Sequence, residues 1–281
     1  LGGIGLSTVY VFLILIAAAI LSNVFTPAFM DMFKGSGKLA KNYRGEMIPQ
    51  GIGIIFPMYY LLWYALFNLL AISLAEKSTS LLFAITAISF IGFVDDMLGS
   101  RDVLGLKGHF KSLLCGRLTT GGLKAIVGLL LAFALSSSLS PGFFEAIVNT
   151  LIIALFTNFF NLLDLRPGRA IKVYIISFFA IWVGLTAVHK SGALLPFVPL
   201  LGFVVGYFPY DLKARCMMGD AGSNVLGISV GFAVVLSLGW HIRIAILAFL
   251  IGIHIFTEKY SLTKLIEKNP VLNYLDNLGR S

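Results

Sequence analysis

The sequence predicts an all-α fold, a polytopic membrane helix bundle with about nine transmembrane helices, and three observations predict it. Of the 281 residues, 58 % are hydrophobic and only 12 % charged, with a mean hydropathy of +0.93. That is more apolar surface than a soluble domain of this size can bury. The apolar residues fall into segments near the roughly 20 residues needed to cross about 30 Å of hydrocarbon. Lys and Arg gather in alternate connectors, as the positive-inside rule requires.

Taken in order, the first segment (6–25) is long enough to span and lacks a basic leader and a clear cleavage site. It is expected to be a retained helix rather than a signal peptide. Further spans are expected at 51–72, 79–95, 123–138, 143–163, 171–188, 193–210, 223–240 and 243–258. The seventh carries Pro196, Pro199 and Pro209, which predict a kink. The chain thus divides into a membrane domain, residues 1–258, and a cytoplasmic amphipathic tail, residues 259–281.

Placing the N-terminus outside and the C-terminus in the cytoplasm puts all but three of the 21 Lys and Arg inside. The exceptions are Lys77, Lys190 and Arg243. The net charge of +8 is then mainly topological, with some attraction to anionic lipid headgroups. No nucleic-acid partner is needed to explain it. Cys115 and Cys216 both fall inside, where a reducing cytosol disfavours a disulfide and two isolated thiols make no metal site.

The outer connectors are too short to house chemistry, so the working face is expected to be the cytoplasmic one. Asp95, Asp96, Asp164 and Asp220 all stand there, at the edges of apolar segments. An ionised carboxylate in that position is costly, and its default reading is functional. Asp95 and Asp96 repel each other, and about 100° of helical rotation between them lets both face one end-on site. Mg²⁺ suits such a pair, because it takes one or two carboxylates and completes its shell with water and phosphate. In Asn158-Phe159-Phe160-Asn161-Leu162-Leu163-Asp164, a spacing of three gathers the polar groups on one side of a helix. Asn158 is expected in an interhelical hydrogen bond, and Asn161 and Asp164 at a ligand. In Gly219-Asp220-Ala221-Gly222-Ser223-Asn224, small residues expose backbone N–H groups, and Ser223 or Asn224 is expected to cap a helix whose N-terminus attracts anions. Lys41, Arg44 and Lys111 are candidate phosphate contacts, and His109 a candidate proton shuttle.

The segments NYRGEMIPQGIG, FVDDMLG, GLKGHFK, NFFNLLD and MGDAGSNVLG, in this order, resemble the polyprenyl-phosphate hexosamine-phosphate transferase superfamily. The resemblance covers residues 40–230. It implies a membrane enzyme that moves a sugar phosphate from a UDP-sugar to polyprenyl (undecaprenyl) phosphate, releasing UMP, with Mg²⁺ or alternatively Mn²⁺ as cofactor. Residues 1–258 would be its catalytic domain, in the plasma membrane, serving cell-envelope glycan synthesis. Asp95, Asp96, Lys111 and Asp164 would be catalytic, and Asp96 and Asp220 would hold the metal. Lys41, Arg44, His109, Asn161, Ser223 and Asn224 would bind substrate. The chain departs from the family pattern at Pro167, where a second acid is expected, and lacks its late histidine-rich loop. It also has nine expected spans where the peptidoglycan enzyme has ten.

Two other readings stand beside this one. A non-catalytic relative would bind polyprenyl phosphate or a nucleotide as an envelope-assembly scaffold. A transporter would need polar residues near the midplane, whereas here the acids crowd one face. Glycine-containing spans leave a homodimer open.

Overall fold

A computed structural model of the chain describes residues 8–99, 112, 116–188 and 190–280. Among them, nine helical segments are long and apolar enough to cross a membrane, so the chain is a multi-pass membrane helix bundle. They contain α1 (Thr8–Gly35), α2 (Ile55–Leu69), α3 (Ser78–Leu98), α4 (Thr120–Ser137), α5 (Phe143–Leu163), α6 (Arg169–Ala187), α7 (Val198–Leu212), α8 (Asp220–Ser237) and α9 (Trp240–Lys259). Two short helices follow, α10 (Leu262–Lys268) and α11 (Pro270–Asn277).

The expected spans are all present, with shifted ends. The first runs ten residues beyond 25 and carries Pro27 within it. It stops where Gly37 adopts φ +73° and the Lys38 N–H bonds back to the Phe33 carbonyl at 3.3 Å, a glycine-terminated helix end. The seventh is a junction of two helix types, with Pro196 in the first and Pro209 in the second. A 3₁₀ segment, Ser191–Phe197, feeds α7, and Pro199 sits in the first helical turn, where a missing N–H costs nothing. The eighth begins three residues earlier than expected, which makes Asp220 its first helical residue.

The segment expected to be a plain loop holds the chain's described strands. β1 (Leu39–Lys41) pairs antiparallel with β2 (Met47–Pro49), Leu39 opposite Pro49. The Asn42 side chain closes the turn by accepting from the Arg44 and Glu46 N–H groups at 2.8 and 3.0 Å, as short polar side chains do in turns. The hairpin base is tied to the approach to α8. The Met217 N–H donates to the Pro49 carbonyl at 2.8 Å, and the Ile52 and Gly53 N–H groups donate to the Met217 and Met218 carbonyls at 3.1 and 3.0 Å.

The core is organised around α8. It is 83 % buried as a span, against 11 % for the peripheral α9, and it packs on α3, α5 and α6. Close approach depends on small residues. A side chain at Gly222 would strike Gly53, and one at Gly227 would strike the backbone of Thr157 on α5. Helices driven together inside lipid rely on such contacts, since the hydrophobic effect does not distinguish a lipid tail from a Leu.

The tail folds back onto the bundle. Arg169, only 3 % exposed at its side chain, donates two parallel hydrogen bonds to Asp276 at 2.8 and 2.9 Å. Lys172 donates to the Leu275 and Asp276 carbonyls at 3.0 and 2.7 Å, answering the exposed carbonyls at the end of α11.

Candidate functional site

Three helix ends meet at one edge of the bundle: the last turn of α3, the end of α5 and the first turn of α8. Together they carry all four predicted aspartates.

Asp96 does not stand free beside Asp95. Its carboxylate accepts the backbone N–H groups of Asp220 and Ala221 at 3.1 and 3.0 Å, and the Gln50 amide at 3.3 Å. It therefore caps α8 from another helix, answering donors that have no intrahelical partner. This corrects the expectation that Ser223 or Asn224 does so. Gly219 makes the approach possible: it holds φ +71°, and a Cβ there would lie 2.9 Å from the Asp96 Cγ. A side chain at Gly92 would likewise collide with the Asp220 backbone, so glycine is what lets α3 reach α8.

Asp95 turns the other way. Lys124, near the start of α4, lies 2.9 Å from Asp95 and also pairs with Asp220. The two adjacent acids thus take separate tasks, one at a helix N-terminus and one at an ammonium, rather than facing a single point together. Lys124 was not among the expected site residues. Its signal was a lone cation at the rim of an apolar segment, the same signal that singled out the acids.

Asp164 ends α5. Burial pushes its carboxyl well above the usual range, and the charges of Asp211, Asp220 and Asp96 push it in the same direction against the Gly219 N–H. Asp211 is a further unforeseen member. It is buried, and it accepts the Gly168 N–H at 2.7 Å, pinning the turn just after Asp164. Asn161 accepts a hydrogen bond from the Ser223 hydroxyl, which joins α5 to α8. Asn224 is fully buried, and its amide has no hydrogen-bond partner among the described residues. Asn158 is exposed rather than turned into helix packing, contrary to expectation.

The basic candidates divide. Lys41 is exposed on β1. Arg44 stands at the hairpin tip, donating to the Tyr43 hydroxyl at 2.8 Å. His109 and Lys111 lie outside the described residues.

Among the described residues no group of three or more Asp, Glu, His or Cys side chains is disposed to hold a metal unaided. Mg²⁺ does not need one, since one or two carboxylates suffice when water and phosphate complete its shell. Crowded negative charge around Asp164, beside Asp96 and Asp220, is the condition a divalent cation relieves. The donor set therefore fits a magnesium-type ion.

The sequence matches the family model described as "Glycosyl transferase family 4" over residues 78–239. The phospho-N-acetylmuramoyl-pentapeptide-transferase of Borrelia garinii subsp. bavariensis is 26 % identical over 234 residues, covering 72 % of this chain and 66 % of that protein. The protein of the same name from Clostridium beijerinckii is 27 % identical over 223 residues, covering 73 % and 68 %. The chain thus spans about two thirds of the length of these relatives.

Proposed function

Given that the chain belongs to glycosyl transferase family 4, within the polyprenyl-phosphate hexosamine-phosphate transferase superfamily, we propose that it moves a sugar phosphate from a UDP-sugar to polyprenyl (undecaprenyl) phosphate. UMP is released, and the reaction serves cell-envelope glycan synthesis at the cytoplasmic face of the membrane. The observation that carries this reading is the meeting of Asp96, Asp164 and Asp220 at the N-terminus of α8, beside Lys124.

The reaction asks for positioning and charge control. An oxygen of the lipid phosphate bonds to the β-phosphorus of the donor. The bond from that phosphorus to the oxygen bridging to the α-phosphate breaks, and UMP departs with that oxygen. A phosphate monoester has its second pKa at about 6, so the attacking oxygen is already largely ionised and no strong base is required. Asp95, committed to Lys124, serves as an anchor for that ammonium. Asp96 and Asp220 would hold Mg²⁺ (Mn²⁺ in its place), which supplies charge neutralisation on the diphosphate when bound. Lys124 and the exposed Lys41 bring positive charge for phosphate, and Asn161 and Ser223 fix the spacing of α5 and α8 beneath them. The same face would collect anionic lipid headgroups.

One observation favours a second reading. Lys124 already neutralises Asp95 and Asp220 without a metal, as a non-catalytic lipid- or nucleotide-binding scaffold would require.

Purified protein, undecaprenyl phosphate, Mg²⁺ and a panel of UDP-sugars separate the two. UMP release that requires lipid and metal, and is lost in Asp96→Asn and Asp220→Asn, supports the transferase. No release with any donor, from folded protein that still binds lipid phosphate, supports the scaffold.

A further inference from the structure

The docked tail and the tip of the β-hairpin enclose a second feature, apart from the aspartates. A cleft of about 380 Å³ lies between them, lined by Tyr43, Arg44, Arg166, Glu267, Asn273 and Arg280 among others. Its volume falls within the roughly 300–1,000 Å³ typical of small-molecule sites. We propose that this cleft binds the nucleotide end of the donor, with the C-terminal tail supplying one wall. The proposal rests on the transferase reading above.

Charge comes first. Among the described residues, Arg44, Arg166 and Arg280 face two carboxylates in the cleft, Glu267 and Asp276. Asp276 is already claimed by Arg169 from below and by Arg280 at 3.1 Å. Glu267 meets Arg166 at a loose 3.5 Å. Positive charge is left over, and Arg44 has no carboxylate within ion-pair distance among the described residues. Guanidinium groups are the preferred partners of phosphate, which they grip in a planar fork.

Shape selects a nucleotide over a bare phosphate. The Tyr43 ring lies under the Arg44 guanidinium at 5.1 Å and the Arg166 guanidinium at 5.7 Å. An aromatic ring flanked by guanidinium groups offers a base a stacking surface with cations and hydrogen-bond donors beside it. The side chain of Arg280 is only 9 % exposed and donates to the Pro167 carbonyl at 3.2 and 3.0 Å, so the wall it forms is fixed rather than loosely tethered. Pro167 lies three residues from Asp164, which places the cleft next to the acidic site.

The test is calorimetric titration of the full chain in detergent with UMP, with inorganic phosphate and, after reconstitution, with vesicles containing phosphatidylglycerol. Arg44→Gln and Arg166→Gln are compared with Lys77→Gln, a charge control on a different part of the chain. The expected result is UMP binding weakened at least tenfold by each cleft variant and unchanged in the control, with phosphate alone much weaker. UMP binding that ignores both cleft variants overturns the assignment and leaves the transferase standing with its nucleotide elsewhere. Variants that lose vesicle binding but keep UMP binding make the cleft a lipid-headgroup site and also overturn it. Failure to bind UMP while UMP is still released from a donor removes the cleft alone. Failure of both binding and release removes the transferase reading with it.

Discussion

Replacing Asp276 by Asn tests whether the tail is held by the latch that the structure displays. Asp276 accepts two hydrogen bonds from Arg169 at 2.8 and 2.9 Å and two from Arg280 at 3.1 and 3.2 Å. The side chains of all three are less than one tenth exposed. Removing one partner of a buried pair costs about 3–5 kcal/mol, because the remaining charges lose their counter-ion. The shift of the Asp276 carboxyl gives a second figure. Burial alone would raise the Asp276 carboxyl, but Arg169 and Arg280 hold it down at about 2, from an ordinary 3.8. That depression corresponds to about 2.4 kcal/mol of docking. Because the folded value is the lower one, this contribution is present above the ordinary carboxyl range and is lost as pH falls towards 2. The smaller figure is expected, since a protonated acid still accepts hydrogen bonds. Asp276→Asn should therefore weaken tail docking by about 3 kcal/mol, or about 100-fold at 1.4 kcal/mol per factor of ten. Hydrogen exchange at pH 7 across 262–277 reads this directly. Exchange within threefold of wild type would refute the latch.

Three further outcomes are expected at the site. Lys124→Met leaves Asp95 and Asp220 without their cation. Their side chains are 16 % and 31 % exposed, so the cost is reduced by solvent to about 1–3 kcal/mol. Thermal unfolding in detergent should show a lower Tm that added Mg²⁺ partly restores, and an unchanged Tm contradicts the pairing. Asp164→Asn removes a half-buried carboxyl crowded by three other acids, so the metal-free protein should gain thermal stability while losing UMP release. A lower Tm would show that Asp164 is structurally satisfied instead. Gly219→Ala puts a Cβ against Asp96 at φ +71°, a strain of about 1–3 kcal/mol. Wild-type Tm together with wild-type activity would mean that the Asp96 cap is not needed.

Much of this molecule was legible in its sequence, for identifiable reasons. Long apolar runs state their own number, so the nine spans could be read directly, whereas their ends depend on the residues just beyond each run. α1 continues through Asp31 and Lys34 because polarity does not stop a helix, and the glycine that does lies further on. The three-residue strands at Leu39 and Met47 are too short for an alternating pattern to register. Of the site, the four acids were legible because each is expensive at a membrane edge. Their division of labour was not, since it depends on contacts between distant segments. Asp96 caps a helix that starts 124 positions later, which no local capping signal at Ser223 or Asn224 discloses. Lys124 and Asp211 belong to the same site for the same reason: each looks like an ordinary rim charge until the helices are assembled.

The central claim is transfer of a phosphate together with the sugar, and the fate of the donor's β-phosphate tests it most directly. A UDP-sugar that supports turnover, carrying a radiolabel in that phosphate, is incubated with the protein, Mg²⁺ and undecaprenyl phosphate. The account predicts that the label enters the lipid fraction while unlabelled UMP appears in the water phase. Label remaining in water as UDP, with the sugar alone on the lipid, would contradict it.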